Sequence, residues 1–391
     1  MSLNGSQERL TLSEHLLQIA VVLGAIAVVV GLGLSIYNGL AAHNIPINFD
    51  FLSQKSGLHL TEGLTVAWED GVHLVPFTSG NTNLQALLLG LYNTLKVAFI
   101  GIVCSTLLGL LVGAGRVSHH WLISRLCLAF VELIRNTPLL IQLFFWYFAV
   151  VLQLPPLRAA SPWYGSIASQ QGIYIPALLS SPGWPYFWWA VLASILTVYV
   201  AMAATRKKKK SRSIRRLVIG GVILAWIAAI GINGAPLTLD FPVASRFRAS
   251  GGIAFSPEFA AILVALVVYT ASFIAEIVRG SIESVSTGQW MAAHALGLNR
   301  RQAMVYIILP QAFKILIPPS VNQYLNLAKN TSLAIAIGFP DLFNIYGTVS
   351  NQTGRSMEGI LIVMVAYLLI NWFVSLLMNL YNRRLIAQGT R

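Results

Sequence analysis

The chain has 391 residues, 56% of them hydrophobic and only 10% charged, with a mean hydropathy of +0.70; a soluble domain carries about 25% charged residues. Such a composition cannot cover a soluble fold with polar surface, which excludes a cytosolic enzyme, a disordered chain and a disulfide scaffold and leaves an all-α integral membrane protein. The net charge of +13 would point to nucleic acid on a soluble chain; here it reads as basic loops beside anionic membrane lipid, with no nucleic-acid partner.

Eight apolar stretches match the roughly 20 residues that cross a bilayer. The first, 16–37, is too long for a cleaved leader and lacks a clear cleavage site, so it reads as a retained span. A polar stretch over 41–83 separates it from 84–115 and 125–152. Gly109 and Gly113 form a GxxxG, the signature of close helix contact. Cys104 and Cys127 both fall in apolar segments, with no second pair and no ligand spacing, and read as packing residues. Asn136-Thr137-Pro138 interrupts the span 125–152, and backbone groups freed there can face a cavity. Gln142, about a turn further on, is a weaker pathway residue. The spans 184–205 and 217–233 flank the basic run Arg206–Arg216, a stop-transfer loop. The remaining spans are 258–279, 312–338 and 359–381. Glu132 with Arg135, and Glu276 with Arg279, stand at i, i+3 and read as local ion pairs.

With the N-terminus inside, the inner segments hold 18 Lys+Arg and the outer segments 5, so both termini are expected in the cytoplasm. No GxxxxGK[ST], HExxH, GxSxG or CxxC occurs, the seven His do not group into a metal site, and no catalytic cluster can be assembled. Transport, channel or scaffold functions remain.

Two stretches carry more. In the connection 280–303, Gln289–Leu296 predicts a short Ala-rich helix with Gly297 as its C-cap and Pro310 at the bend back into the bilayer. Small side chains suit a helix seated in a groove of another protein; an amphipathic helix lying on the membrane is the simpler physical reading. Further on, Asn322, Asn326 and Asn330 recur at i, i+4 and i+8 on one helix face, with Lys329 beside them. Such amides can serve both the carboxylate and the amine of an α-amino acid, or act as interhelical hydrogen-bond glue.

Ala292, Ala293, Gly297, Ile307, Leu309 and Pro310 match the pattern Glu-Ala-Ala-x3-Gly-x9-Ile-x-Leu-Pro, which resembles the loop of bacterial ABC importer permeases. VELIRNTPLLIQLFFWYF at 131–148 and LLLGLYNTLKVAFIGI at 87–102 resemble the polar amino acid uptake branch, and the long form resembles the general L-amino acid permeases. The resemblance implies a type I importer core of five helices in two parts, 84–153 and 257–391, with an N-terminal extra helix and outer segment over 1–83 and an insertion carrying two helices over 154–256. For the extra helices, lateral packing and lipid contact are expected. It also implies that Met291, Ala292, Ala293 and Gly297 belong to a coupling helix seated on an ATPase. Met291 stands where the family has Glu, which points to a second, different permease in the assembly. The helix bearing Asn322, Asn326, Lys329 and Asn330 is implied to line the pathway. The expected partners are a homodimeric ABC ATPase holding ATP and Mg, a second homologous permease, and a periplasmic amino-acid-binding protein; the expected cargo is an L-amino acid crossing the inner membrane. A self-contained secondary transporter is the alternative; it needs an internal repeat and a midplane ion site, and neither is visible in the sequence.

Overall fold

The computed structural model describes residues 12–42, 48–60, 62–68, 71–181, 184, 186–204, 211–245 and 249–389; both chain ends and residues 206–210 of the basic run lie outside the described residues. Among the described residues six helices are long and apolar enough to cross a membrane, and one bent pair adds a further crossing if it counts as a single span. Helix α1 (Leu12–Ala42) is apolar on all sides, and none of its spanning window is buried, as expected for a helix facing lipid.

The outer segment folds into a hairpin of β1 (Leu64–Ala67) and β2 (His73–Pro76), with Leu64 opposite Pro76. Helix α2 (Asn83–Arg116) starts at a capping box formed by Thr82 and Gln85. Its 34 residues make a rod about 51 Å long, against a hydrocarbon layer of about 30 Å. Its first turns carry the outer segment. Asn83 Nδ2 donates to the Phe51 carbonyl at 2.8 Å, and Gln85 Nε2 to the Val66 carbonyl at 2.9 Å. Phe51, Leu58 and Phe77 are buried in one cluster with Leu89 of α2.

The expected span 125–152 is broken. Helix α3 (Trp121–Arg135) and α4 (Leu139–Phe144, continued as a π-helical stretch to Val150 and a 3-10 turn to Gln153) meet at 104°. Pro138 supplies the cause, because it has no N–H to continue the ladder.

The insertion divides by environment. Helices α5 (Phe187–Ala204) and α6 (Ser211–Asn233) pack on each other, with Trp184 stacked on Trp226 at 5.5 Å and Trp226 Nε1 donating to Ser194 Oγ at 3.1 Å. Its outer parts are strands, an addition to the all-helical expectation. These are β3 (Ile167–Ser169), β4 (Gly172–Ile175), β5 (Ala177–Ser180), β6 (Leu237–Asp240), β7 (Val243–Ala244), β8 (Ala249–Ser250) and β9 (Ile253–Phe255). The antiparallel order β3-β4-β9 brings the two ends of the insertion together, Ile173 opposite Phe255. Phe255 stacks on Phe259 at 4.8 Å, so this sheet sits on the helical core instead of packing laterally.

Helix α7 (Pro257–Glu283) makes the most extensive helix contact, along α2. A Cβ at Gly109 would lie 2.6 Å from Ile274 Cβ, and one at Gly113 2.6 Å from Val278 Cβ, so the GxxxG is the close crossing it predicts. Helices α8 (Thr287–Ala295) and α9 (Arg300–Ala303) form the inner connection. A π-helical stretch, Met304–Ile308, leads into α10 (Leu309–Asn330), which a 3-10 helix extends to Ile337 before Gly338 at φ +79° ends it. Helix α11 (Leu342–Thr353) lies between α10 and the last helix, α12 (Ser356–Gly389). Val97, Leu143, Phe259, Leu266, Leu327 and Phe339 are buried together where α2, α4, α7 and α10 converge.

Candidate functional site

Helix α10 positions the amide stripe, and the structure divides the predicted residues between two of its faces. Asn322 and Asn326 are exposed on the chain's surface, and Asn330 is half-buried at the helix end. Among the described residues, none of the three side chains makes a hydrogen bond within the chain. Glue between helices of this one chain is therefore not their role. Lys329 points to the other face. It lines a cavity of about 830 Å³ between α10 and α12, with Leu325 and Ser332 on one wall and Tyr367 and Asn371 on the other.

Tyr367 and Asn371 were missed by the sequence reading. They stand one turn apart on α12, and the Asn371 Oδ1 is buried without a hydrogen-bond partner. An amide within an otherwise apolar span was the available signal. The cavity thus brings Lys329, Ser332, Tyr367 and Asn371 together among apolar walls.

Gln142 is a correction. Its side chain is 5% exposed, and its Nε2 donates to the Ile134 carbonyl at 2.8 Å and the Thr137 carbonyl at 2.9 Å. The break at Asn136–Pro138 leaves the Thr137 carbonyl outside the helix ladder, and Gln142 closes the kink by donating to it, while its own Oε1 is buried without a partner.

At the inner face, α8 ends as the sequence predicts. Gly297 has φ +73°, its N–H donates to the His294 carbonyl at 2.9 Å, and the Leu298 N–H donates to the Ala293 carbonyl at 3.1 Å, a complete Schellman cap. The helix is held by Arg300 over the Trp290 ring and by Gln311 Nε2 donating to Gln289 Oε1 at 3.2 Å. Ala293 corrects the expectation of an outward small-residue face: it is fully buried within the chain. The outward surface is Met291, 66% exposed, with Ala292 and Leu296, 76% exposed.

Behind this loop the charges form a network instead of two separate pairs. Glu276 receives Arg116 and Arg279 and lies 4.0 Å from Arg135. The expected Glu132–Arg135 pair does not form. The Arg135 guanidinium lies over the Phe273 ring, and Glu132 Oε2 accepts from Asn136 Nδ2. The kink turns α3 toward α7, where Glu276 gathers three guanidiniums.

On the outer side, buried Asp341 caps α11, accepting the Asn344 N–H at 2.9 Å, while the Leu342 N–H donates to Thr94 Oγ1 at 3.1 Å. Burial pushes the Asp341 carboxyl up to about 6 against the opposing pull of that N–H.

The family of binding-protein-dependent transport system inner membrane components matches the chain over residues 202–387. The chain is 38% identical to the putative amino-acid ABC transporter permease protein YhdX of Escherichia coli K12, covering 96% of this chain and 94% of that one. It is 39% identical to the general L-amino acid transport system permease protein AapQ of Rhizobium johnstonii, covering 88% and 87%. With the glutamate/glutamine/aspartate/asparagine transport system permease protein BztB of Rhodobacter capsulatus it shares 34% identity, covering 94% and 92%. With apolar helices long enough for a multi-pass membrane protein, an inner loop carrying the family's small-residue pattern, and similarity along nearly its whole length, the chain belongs to the inner membrane components of binding-protein-dependent transport systems, among the amino-acid ABC permeases.

Proposed function

We propose that the chain forms, with a second and different permease, the path by which polar L-amino acids enter the cell. Two relatives that match most of its length are named for general L-amino acid transport and for transport of glutamate, glutamine, aspartate and asparagine. One observation bears most of the reading: α10 presents Asn322, Asn326 and Asn330 unpaired on one face, while Lys329 on another face lines a cavity with Ser332, Tyr367 and Asn371. Unpaired amides and an ammonium in a membrane helix are costly unless a partner or a polar cargo meets them. Two of the three amides are exposed on this chain, which fits a path closed by a second subunit.

Energy comes from a separate ATPase, as in the family. This chain has no nucleotide loop of the GxxxxGK[ST] type, and we place ATP and Mg on a homodimeric partner. Met291, Ala292 and Leu296 form the outward surface of α8 that meets it. A periplasmic binding protein delivers the cargo to the outer face. Membership of a family that depends on a binding protein disfavours the self-contained transporter.

The test uses Asn326→Leu and Asn330→Leu in the reconstituted assembly with its ATPase, second permease and binding protein. Loss of a hydrogen bond to a charged group is expected to weaken substrate affinity by roughly tenfold or more. Substrate-stimulated ATP hydrolysis falls while basal hydrolysis persists. Normal affinity with lowered thermal stability would instead make the stripe an interface between the two permeases and sink this reading.

A further inference from the structure

A second cavity, of about 510 Å³, opens where the outer segment and the inserted sheet meet the core. It shares no lining residue with the α10–α12 cavity. Glu62 from the outer segment, Tyr92 and Lys96 from α2, and Tyr174, Ala254 and Phe255 from the inserted sheet form its walls. Lys96 lies 13 residues into α2, about 20 Å from its outer end.

The chemistry of the walls is specific. Lys96 Nζ lies 2.9 Å from Glu62 Oε1, 4.3 Å from the Phe259 ring centroid and 5.2 Å from that of Phe255. The other Glu62 oxygen, Oε2, is buried and accepts no hydrogen bond. An ammonium has three donors, and only one of those on Lys96 meets a carboxylate. The site therefore has a shielded carboxylate oxygen without a hydrogen-bond partner beside ammonium donors that no carboxylate meets, with aromatic faces around them. A singly charged ligand would leave an excess charge in this partly desolvated place, whereas a zwitterion adds one charge of each sign and leaves the balance intact. The volume falls within the usual range for small-molecule sites, about 300–1,000 Å³.

We propose that this cavity is an outer binding site for a zwitterionic α-amino acid, whose ammonium meets Glu62 Oε2 and whose carboxylate meets Lys96. The site rests on the reading that polar L-amino acids are the cargo. It gives the outer segment and the insertion a function in substrate recognition, since each contributes a wall that the five core helices lack.

The test is equilibrium binding of radiolabelled L-glutamine to the assembled permeases and ATPase in phosphatidylglycerol nanodiscs, where no zwitterionic headgroup competes. Wild type is expected to bind more equivalents than the α10–α12 cavity alone accounts for. Lys96→Gln and Glu62→Gln each weaken one class of site by about tenfold or more. Ala254→Trp, which enlarges a wall of the cavity and leaves both charged residues in place, is expected to remove the same class. Combining Glu62→Lys with Lys96→Glu restores the ion pair, so thermal stability recovers while binding does not. If the pair is only a clip between the outer segment and the core, Ala254→Trp binds as wild type and the charge exchange restores everything, which overturns the site. Repeating the titration with phosphatidylethanolamine present separates a free amino acid from a headgroup: unchanged affinity supports the free ligand, and abolished binding overturns it. ATP-driven L-glutamine uptake by wild type checks the cargo separately. No uptake defeats the cargo reading and the site together; uptake with unaltered binding in all variants defeats the site alone.

Discussion

At the scale of single residues, the structure reassigns side chains that look alike in sequence. Gln142 and Asn371 are both amides in apolar stretches. Both bury a side-chain oxygen that lacks a partner, but one closes a helix kink by donating to two carbonyls and the other lines a cavity. Asp341 attracts no notice in the sequence, yet it is fully buried at the start of α11. Its carboxyl, raised to about 6 from an ordinary 3.8, holds its proton more tightly in the folded state than in the unfolded one. Asp341 therefore favours folding fully below pH 4, and that contribution is lost as pH rises through 6. We expect the melting temperature of the purified protein to decline from pH 4 to pH 7 on this account. Asp341→Asn keeps a capping oxygen and removes the titration. It should flatten that decline and raise stability at pH 7 by on the order of 3 kcal/mol. Parallel pH dependences in the two proteins, read by intrinsic-fluorescence melts, would refute this.

At the scale of elements, α8 shows how far spacing leads and where it stops. The position of Gly297 was legible because a helix that ends needs a residue tolerant of φ near +73°. Which alanine faces outward was not legible, because a nine-residue helix can turn either side toward its own chain. The structure buries Ala293 and exposes Ala292. Charge at the two positions should then act differently. Ala292→Glu is expected to abolish ATP-driven uptake while the chain stays folded and inserted. Ala293→Glu should loosen the loop itself and lower the melting temperature, since an unpaired charge is buried there. Equal stability of the two variants, or normal uptake by Ala292→Glu, would contradict this assignment of faces. The α3–α4 kink follows the same logic. Pro138 announces a break, but its 104° angle is set by the packing of α4 on α7 and by Gln142.

At the scale of the whole molecule, the charge asymmetry predicts one orientation, with the basic residues inside and the hairpin on the first turns of α2 outside. A reporter placed within Arg206–Arg216 is expected to read cytoplasmic, and one within Phe49–Asn81 external. The opposite pair of readings would invert the topology and with it the assignment of α8 to the ATPase side. Composition alone determined that this chain lives in a membrane, because burying so many apolar side chains requires no particular contact. The apolar stretches, the close α2–α7 crossing at Gly109 and Gly113, the kink at Pro138 and the cap at Gly297 were equally local, each following from the geometry of a few neighbouring residues. Only the tertiary structure decided which polar groups come together: Lys329, Tyr367 and Asn371 around one cavity, Glu276 with three arginines, Glu62 with Lys96. Those partners are distant in sequence, and a buried charge or amide is satisfied by whatever the folded helices bring within hydrogen-bond reach, which no periodicity along the chain encodes.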